Sequence, residues 1–389
     1  VVEGDYALFT VDLSNPSSED ITVSLQLNDG SATQNDYIDN TEVFVNGSWV
    51  DSNSATIPAG ETSVKVRVKT NDDYLKENTE SFDLEATVTA GTTTNNQATG
   101  TSYITDDISP TNPPGSEDTV YAEISVDKSS VAEGGELTYT VKLVDENGAA
   151  VNVPVGESVN VQLDWSGAAS GGADTSALPS NIDVTGGSEA TFKVDAKDDY
   201  LNEGSEPLVA TISGVTDTDS NFEAVEASST NSVANSAITD ESTPGSEDTA
   251  TVSISGDATV VEGESATYEV SVDKEVATGE TVTVPVTYSY TSAETGDIVT
   301  NTVEVVLDEN NQSVDFNVAT VDDAYAEGDE VFNVNIGTPV DTGSFENIAL
   351  GNDTVATTIK DGNTNEPTPT PEDTATVSIS GDATVVEGE

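Results

Sequence analysis

Apolar residues recur at every second position through most of the chain. Val64, Val66 and Val68 alternate with Lys65, Arg67 and Lys69. Successive side chains of an extended strand point to opposite faces, so this pattern predicts a strand with one face buried and one in water. The same alternation runs through Ala7, Phe9, Val11 and Leu13, through Ile21, Val23, Leu25 and Leu27, and through Phe82, Leu84, Ala86 and Val88. It returns at Leu137, Tyr139, Val141 and Leu143, and again at Tyr268, Val270 and Val272. No helical period competes with it. Short strands punctuated by turns such as Asn46-Gly47 and Asn147-Gly148 predict an all-β chain, with about seven strands per module in an antiparallel sandwich of the immunoglobulin-like kind. A β-barrel is the alternative.

The pattern is periodic on a longer scale. Residues 247–264 and 372–389 are the same sequence, EDTATVSISGDATVVEGE, and residues 117–136 are a weaker copy. Val1-Val2-Glu3-Gly4 aligns with Val260–Gly263 and Val385–Gly388, so the chain reads as a window on a longer tandem array. Prolines mark the joints: Pro110, Pro113 and Pro114, then Pro244, then Pro367, Pro369 and Pro371. Fixed φ makes such linkers stiffer than Gly/Ser spacers. The expected division is a first module at 1–107 that lacks its first strand, a linker at 108–117, and a second module at 118–241. A linker at 242–247, a third module at 248–362, a linker at 363–372 and the start of a fourth module at 373–389 complete it.

Composition adds a charge problem. Asp and Glu number 73 against 10 Lys and Arg, a net charge of −63. Nucleic acid and anionic membranes would be repelled, whereas cations would be drawn in. The chain has no Cys, His or Met. Disulfides, Cys-ligated zinc and histidine acid–base chemistry are therefore excluded. No run of 18 apolar residues exists to insert into a membrane.

The acids are not spread at random. Asp-Asp-x-x-x-Glu-x-x-Glu occurs three times, as Asp72, Asp73, Glu77 and Glu80, as Asp198, Asp199, Glu203 and Glu206, and as Asp322, Asp323, Glu327 and Glu330. Carboxylates about 4 Å apart repel by about 4 kcal/mol at an effective dielectric near 20. A cation among them is the simplest remedy, and with only oxygen donors the candidate is Ca²⁺. In a sandwich, loops gather at two ends, so distant acids converge. The candidate ligands of the first module are Glu3, Asp36, Asp72, Asp73, Glu77, Asp106 and Asp107. Those of the second are Glu133, Asp174, Asp198, Asp199, Glu203, Asp240 and Glu241. Those of the third are Glu262, Asp297, Asp322, Asp323, Glu327 and Asp361. A competing motif, Asp217, Asp219 and Asn221, imitates an EF-hand loop, but Phe222 stands where that loop needs glycine and Ser228 where it needs a bidentate Glu. Paired carboxylates can also serve glycoside hydrolysis, yet here they are periodic, and only Trp49 and Trp165 offer sugar platforms.

The order Glu-Gly, two strands, Asp36-Tyr37, Pro58-x-Gly60-Glu61, an alternating strand, Asp72-Asp73-Tyr74-Leu75-Lys76-Glu77-x-x-Glu80-x-Phe82, a strand and Asp106-Asp107 resembles the Calx-β module. The resemblance covers all three periods. It implies β-sandwiches binding several Ca²⁺ ions at one end through the positions just named. Thr175 and Ile298 replace the tyrosine of Asp-Tyr, and Gly362 replaces the second closing acid, which implies fewer ions in the third module. Tandem copies in an acidic chain also resemble the extender regions of RTX-type bacterial adhesins. That implies an extracellular, non-catalytic spacer whose partners are Ca²⁺ and neighbouring modules. A surface-layer or filament subunit and a glycan-binding module are the alternatives.

Overall fold

The computed structural model describes residues 1–106, 113–301, 303–323, 325, 328–360 and 376–381. The expected linker at 363–372 lies outside them, as does most of the expected fourth module. The chain divides into two compact units. The first comprises Val1–Val131, Glu136–Asp195 and Pro207–Ala237, and the second comprises Ala132–Gly135, Ala196–Glu206 and Ile238–Glu389. The division therefore cuts through the second period, whose Glu-Gly, Asp-Asp and closing-acid segments belong with the third.

The first period forms β1 (Tyr6–Asp12), β2 (Ile21–Asp29), β3 (Glu42–Val45), β4 (Ser48–Asp51), β5 (Ser54–Ile57), β6 (Ser63–Lys69), β7 (Glu80–Ala90) and β8 (Gln97–Ile104). Its two sheets run β1-β6-β3-β4 and β5-β2-β7-β8. The second period forms β9 (Thr119–Val126), β10 (Val131–Ala132), β11 (Glu136–Val144), β12 (Ser158–Ser166), β13 (Asn181–Thr185), β14 (Glu189–Asp195), β15 (Ser205–Asp217), β16 (Ala224–Ala227) and β17 (Val233–Thr239). These make sheets β14-β11-β9-β16 and β10-β17-β15-β12-β13. The third forms β18 (Thr249–Gly256), β19 (Thr259–Val261), β20 (Ser265–Val272), β21 (Thr281–Tyr290), β22 (Val303–Asp308), β23 (Ser313–Ala319), β24 (Glu330–Ile336), β25 (Val340–Asp341), β26 (Asn347–Leu350) and β27 (Thr354–Lys360). Its sheets run β23-β20-β18-β26 and β19-β27-β24-β21-β22, with β25 on β21.

Every sheet among the described residues is open, which sets the barrel aside. The strands outnumber the seven expected per period because short pieces such as β10, β16 and β19 line the edges. Some pairings among the described residues are parallel, including β16 on β9, β26 on β18 and β19 on β27, and the isolated bridge from Val2 to Thr105. Alternation cannot reveal strand direction, so these pairs were invisible in the sequence.

Burial follows the alternation. In β6, Val66 and Val68 are buried and pair across β1 with Phe9 and Ala7. Burying a valine side chain contributes about 1.5–3 kcal/mol, and β6 places three valines on one face. An aromatic pair anchors each sandwich. Tyr37 stacks on Phe82 with ring centres 4.5 Å apart, Tyr139 on Phe192 at 5.3 Å, and Tyr268 on Phe316 at 5.5 Å. Each tyrosine hydroxyl is satisfied: Tyr37 donates to Asp29, Tyr139 shares a hydrogen bond with Ser236, and Tyr268 with Thr357. A buried hydroxyl left unpaired would cost about 1–3 kcal/mol. Trp165 lies edge-on to Tyr139 with its indole N–H on the Pro179 carbonyl, a packing role.

Candidate metal centre

Each Glu-Gly is a tight turn. Gly4, Gly134 and Gly263 have φ of 71°, 69° and 78°, where a side chain is strained. A Cβ on Gly4 would lie 2.9 Å from an Asp72 carboxylate oxygen, and one on Gly263 would lie 3.0 Å from the Asp322 Cβ. The glycine lets the chain bring its glutamate against the Asp-Asp stretch. The Asp199 N–H donates to Glu133 Oε2 at 3.2 Å, and the Asp323 N–H donates to Glu262 Oε1 at 3.1 Å.

One hydrogen bond of the Asp-Asp stretch recurs in all three copies. The second aspartate accepts the N–H two residues on, Leu75 to Asp73 at 2.7 Å, Leu201 to Asp199 at 2.8 Å and Tyr325 to Asp323 at 2.7 Å. The closing acid clamps the glutamate that follows. The Glu77 N–H donates to both Asp106 oxygens at 3.2 Å, and the Glu203 and Gly204 N–H groups donate to Asp240. The mid-module aspartate is held through its carbonyl, which accepts Asn71 N–H at Asp36 and Val321 N–H at Asp297. Ile298 thus occupies the place of Tyr37, and both are buried. Asp174 is buried in the first unit beside the buried Thr175.

In the first unit Asp36, Glu77 and Glu80 place carboxylate oxygens within 4.8 Å of one another, in a cleft also lined by Asp73 and Asn71. Glu80 Oε2 is buried without a hydrogen-bond partner. Burial, then Asp73, Asp106, Glu77 and Glu223, push Glu3 up to about 8. Burial, then Asp36, Glu80, Asp73 and Asp106, push Glu77 up to about 7. In the second unit burial outweighs the stabilising Asp199 N–H, and with Asp199, Asp240 and Glu203 it raises Glu133 to about 7. Burial and mutual repulsion thus favour the protonated form of these glutamates unless a counter-charge is present. Asp107, Glu327 and Asp361 lie outside the described residues.

Sequence reasoning missed one kind of candidate ligand. Glu346, from the third period, joins Glu133 and Glu241 of the second with oxygens within 4.8 Å. Both Glu346 oxygens are buried without a hydrogen-bond partner, and burial plus Glu241, Asp240, Glu133 and Asp248 raise it to about 8. Glu223 holds the matching place in the first unit, where its charge acts on Glu3. The signal was a recurring Phe-Glu pair, Phe222-Glu223 and Phe345-Glu346. Asp217 and Asp341 present each Phe by accepting its N–H at 2.8 and 3.0 Å, so the EF-hand look-alike is a loop cap. Phe222 meets Tyr74 and Leu75, and Phe345 meets Tyr200 and Leu201. Backbone bonds fasten each contact, Glu223 N–H to Tyr74 and Glu346 N–H to Tyr200.

A scan against protein-family models and a search of curated proteins return no match. Matches among solved structures include CBD12 from CALX1.2, 16% identical over 61% of this chain and 99% of that chain, with a TM-score of 0.26. The apo form of the Calx CBD1 domain is 20% identical over 29% of this chain and 98% of that one, with a TM-score of 0.25. The calcium-binding domain CBD12 of CALX1.1 is 14% identical over 60% and 98%, with a TM-score of 0.24. At TM-scores of this size the likenesses carry no weight for function, and the carboxylate geometry stands by itself.

Proposed function

We propose that this chain is a non-catalytic, Ca²⁺-rigidified repeat region, a spacer within a long extracellular surface protein of the adhesin type. The observation that supports it is the rebuilding of one carboxylate set in successive periods, with glutamates that burial and neighbouring acids push towards the protonated form. Oxygens on opposite sides of a single Ca²⁺ at about 2.4 Å are about 4.8 Å apart. The clusters of Asp36, Glu77 and Glu80 and of Glu133, Glu241 and Glu346 meet that limit with oxygen donors only. Bound Ca²⁺ would supply positive charge and nothing else. Glu3, Asp73, Glu77 and Asp106 would hold it in the first module, and Glu133, Asp199, Glu203 and Asp240 in the second. Their backbone clamps would connect the ion to the Glu-Gly turn and to the closing-acid segment.

Extracellular modules bind Ca²⁺ at about 10⁻⁴–10⁻³ M. Free Ca²⁺ at roughly ten times the dissociation constant adds about 1.4 kcal/mol per site. Two sites in a module of this size would raise its melting temperature by roughly 10 °C. Thermal melts in millimolar Ca²⁺ and in EDTA test the reading. An unchanged midpoint would sink it. Small-angle scattering under the same two conditions tests the spacer role, which requires a stiffer chain with Ca²⁺.

A further inference from the structure

The two aspartates that open the first and second acidic stretches do not face the same partners. Asp199 turns inward, its N–H on Glu133 and its carboxylate on the Leu201 N–H. Asp198 instead meets Glu241 and Asp248, with carboxylate oxygens of all three within 4.8 Å of one another. Asp248 lies in the linker hexapeptide Pro244-Gly245-Ser246-Glu247-Asp248-Thr249, which leads straight into β18. The turn is closed by Thr249 Oγ1 donating to the Gly245 carbonyl at 2.9 Å, and by the Gly245 N–H donating to Asp248 Oδ2. That leaves Asp248 Oδ1 pointing at the other two acids. The residue is 0% exposed, and Oδ1 is buried without a hydrogen-bond partner. A buried carboxylate oxygen facing two more carboxylates is costly unless something positive sits between them.

We propose that Asp198, Glu241 and Asp248 form a linker cation site, which shares Glu241 with the cluster inside the second module and in which the following module donates a ligand through Asp248. The ligand class is a hard divalent cation, with Ca²⁺ first. The inference rests on the proposed Ca²⁺ function and adds to it a site that spans the linker. The first linker has the identical hexapeptide, Pro114-Gly115-Ser116-Glu117-Asp118-Thr119. There Asp118 is 1% exposed, and Asp72, Glu117 and Asp118 likewise place oxygens within 4.8 Å. A cation in either place ties the linker turn to the loop that carries the aromatic lock.

Calorimetric titration of the whole chain with Ca²⁺ alone tests the proposal, comparing wild type with Asp248→Asn, Asp198→Asn and Asp199→Asn. Asp248→Asn and Asp198→Asn should each abolish one site or weaken it by about tenfold or more, and the double variant should lose no more than either single one. Asp199→Asn should remove a different site, so that its combination with Asp198→Asn loses both. Asp198 is exposed, so Asp198→Asn tests the site even where Asp248→Asn disturbs folding. Wild-type titration by Asp248→Asn and Asp198→Asn, with loss in Asp199→Asn, would overturn the linker site and leave the module sites standing. No heat or binding in wild type would overturn the proposed function itself.

Discussion

The contact between the first and second periods and the contact at the exit of the second are built to one plan and charged differently. In both, a Tyr-Leu pair receives a phenylalanine, Tyr74-Leu75 receiving Phe222 and Tyr200-Leu201 receiving Phe345, each with ring centres 6.0 Å apart. In both, a glutamate follows the phenylalanine into the acidic cluster. The difference lies beside the tyrosine. Lys274 stands 5.1 Å from the centre of the Tyr200 ring, whereas burial, Asp73 and Asp145 raise the Tyr74 hydroxyl. The apolar lock is therefore constant and the local counter-charge is not.

The largest effect should come from the lock. Phe222 and Phe345 are each 4% exposed. Truncating a buried phenylalanine costs about 3–5 kcal/mol. Phe222→Ala and Phe345→Ala should both show an early, separate unfolding step in calorimetry, of similar size. A single unchanged transition in either variant would break the equivalence of the two contacts.

Acidity should come next. Glu3 and Glu346, raised to about 8, and Glu77 and Glu133, raised to about 7, bind protons in the metal-free fold at pH values where the unfolded chain, near 4.5, has released them. The contribution of these four groups to metal-free stability is thus fully present below about pH 4.5 and is lost as pH rises through 7 to 8. Ca²⁺ must displace those protons, so its affinity should climb by up to about tenfold per pH unit per proton displaced and level off above pH 8. Melts across pH 5–8 with and without Ca²⁺ should therefore slope in opposite directions. Parallel slopes would show that the raised glutamates are not the metal ligands.

The smallest effect separates the two contacts. Lys274→Glu should cost about 0.5–1 kcal/mol in EDTA, the size of an exposed cation–π contact, and less in saturating Ca²⁺. Hydrogen exchange at the Glu346 and Glu223 amides would report it, with the difference between them in EDTA shrinking in the variant.

The strands, the repeat and the acids that each module supplies to its own end were all legible in the order of residues. Alternation has one physical cause, a buried face, and Val64, Val66 and Val68 could not satisfy it otherwise. The Glu-Gly turn was legible too, because only glycine combines positive φ with the approach to Asp72 or Asp322. Which carboxylates meet across a linker was not legible. Asp72 and Asp73 are neighbours of identical chemistry, yet one faces Glu117 and Asp118 and the other its own module. With 73 acids in the chain, residue type could not single out Asp248, Glu223 or Glu346. Loop placement in the folded chain did, through the Phe222 and Phe345 contacts and the hexapeptide turn, which act between residues far apart in the chain.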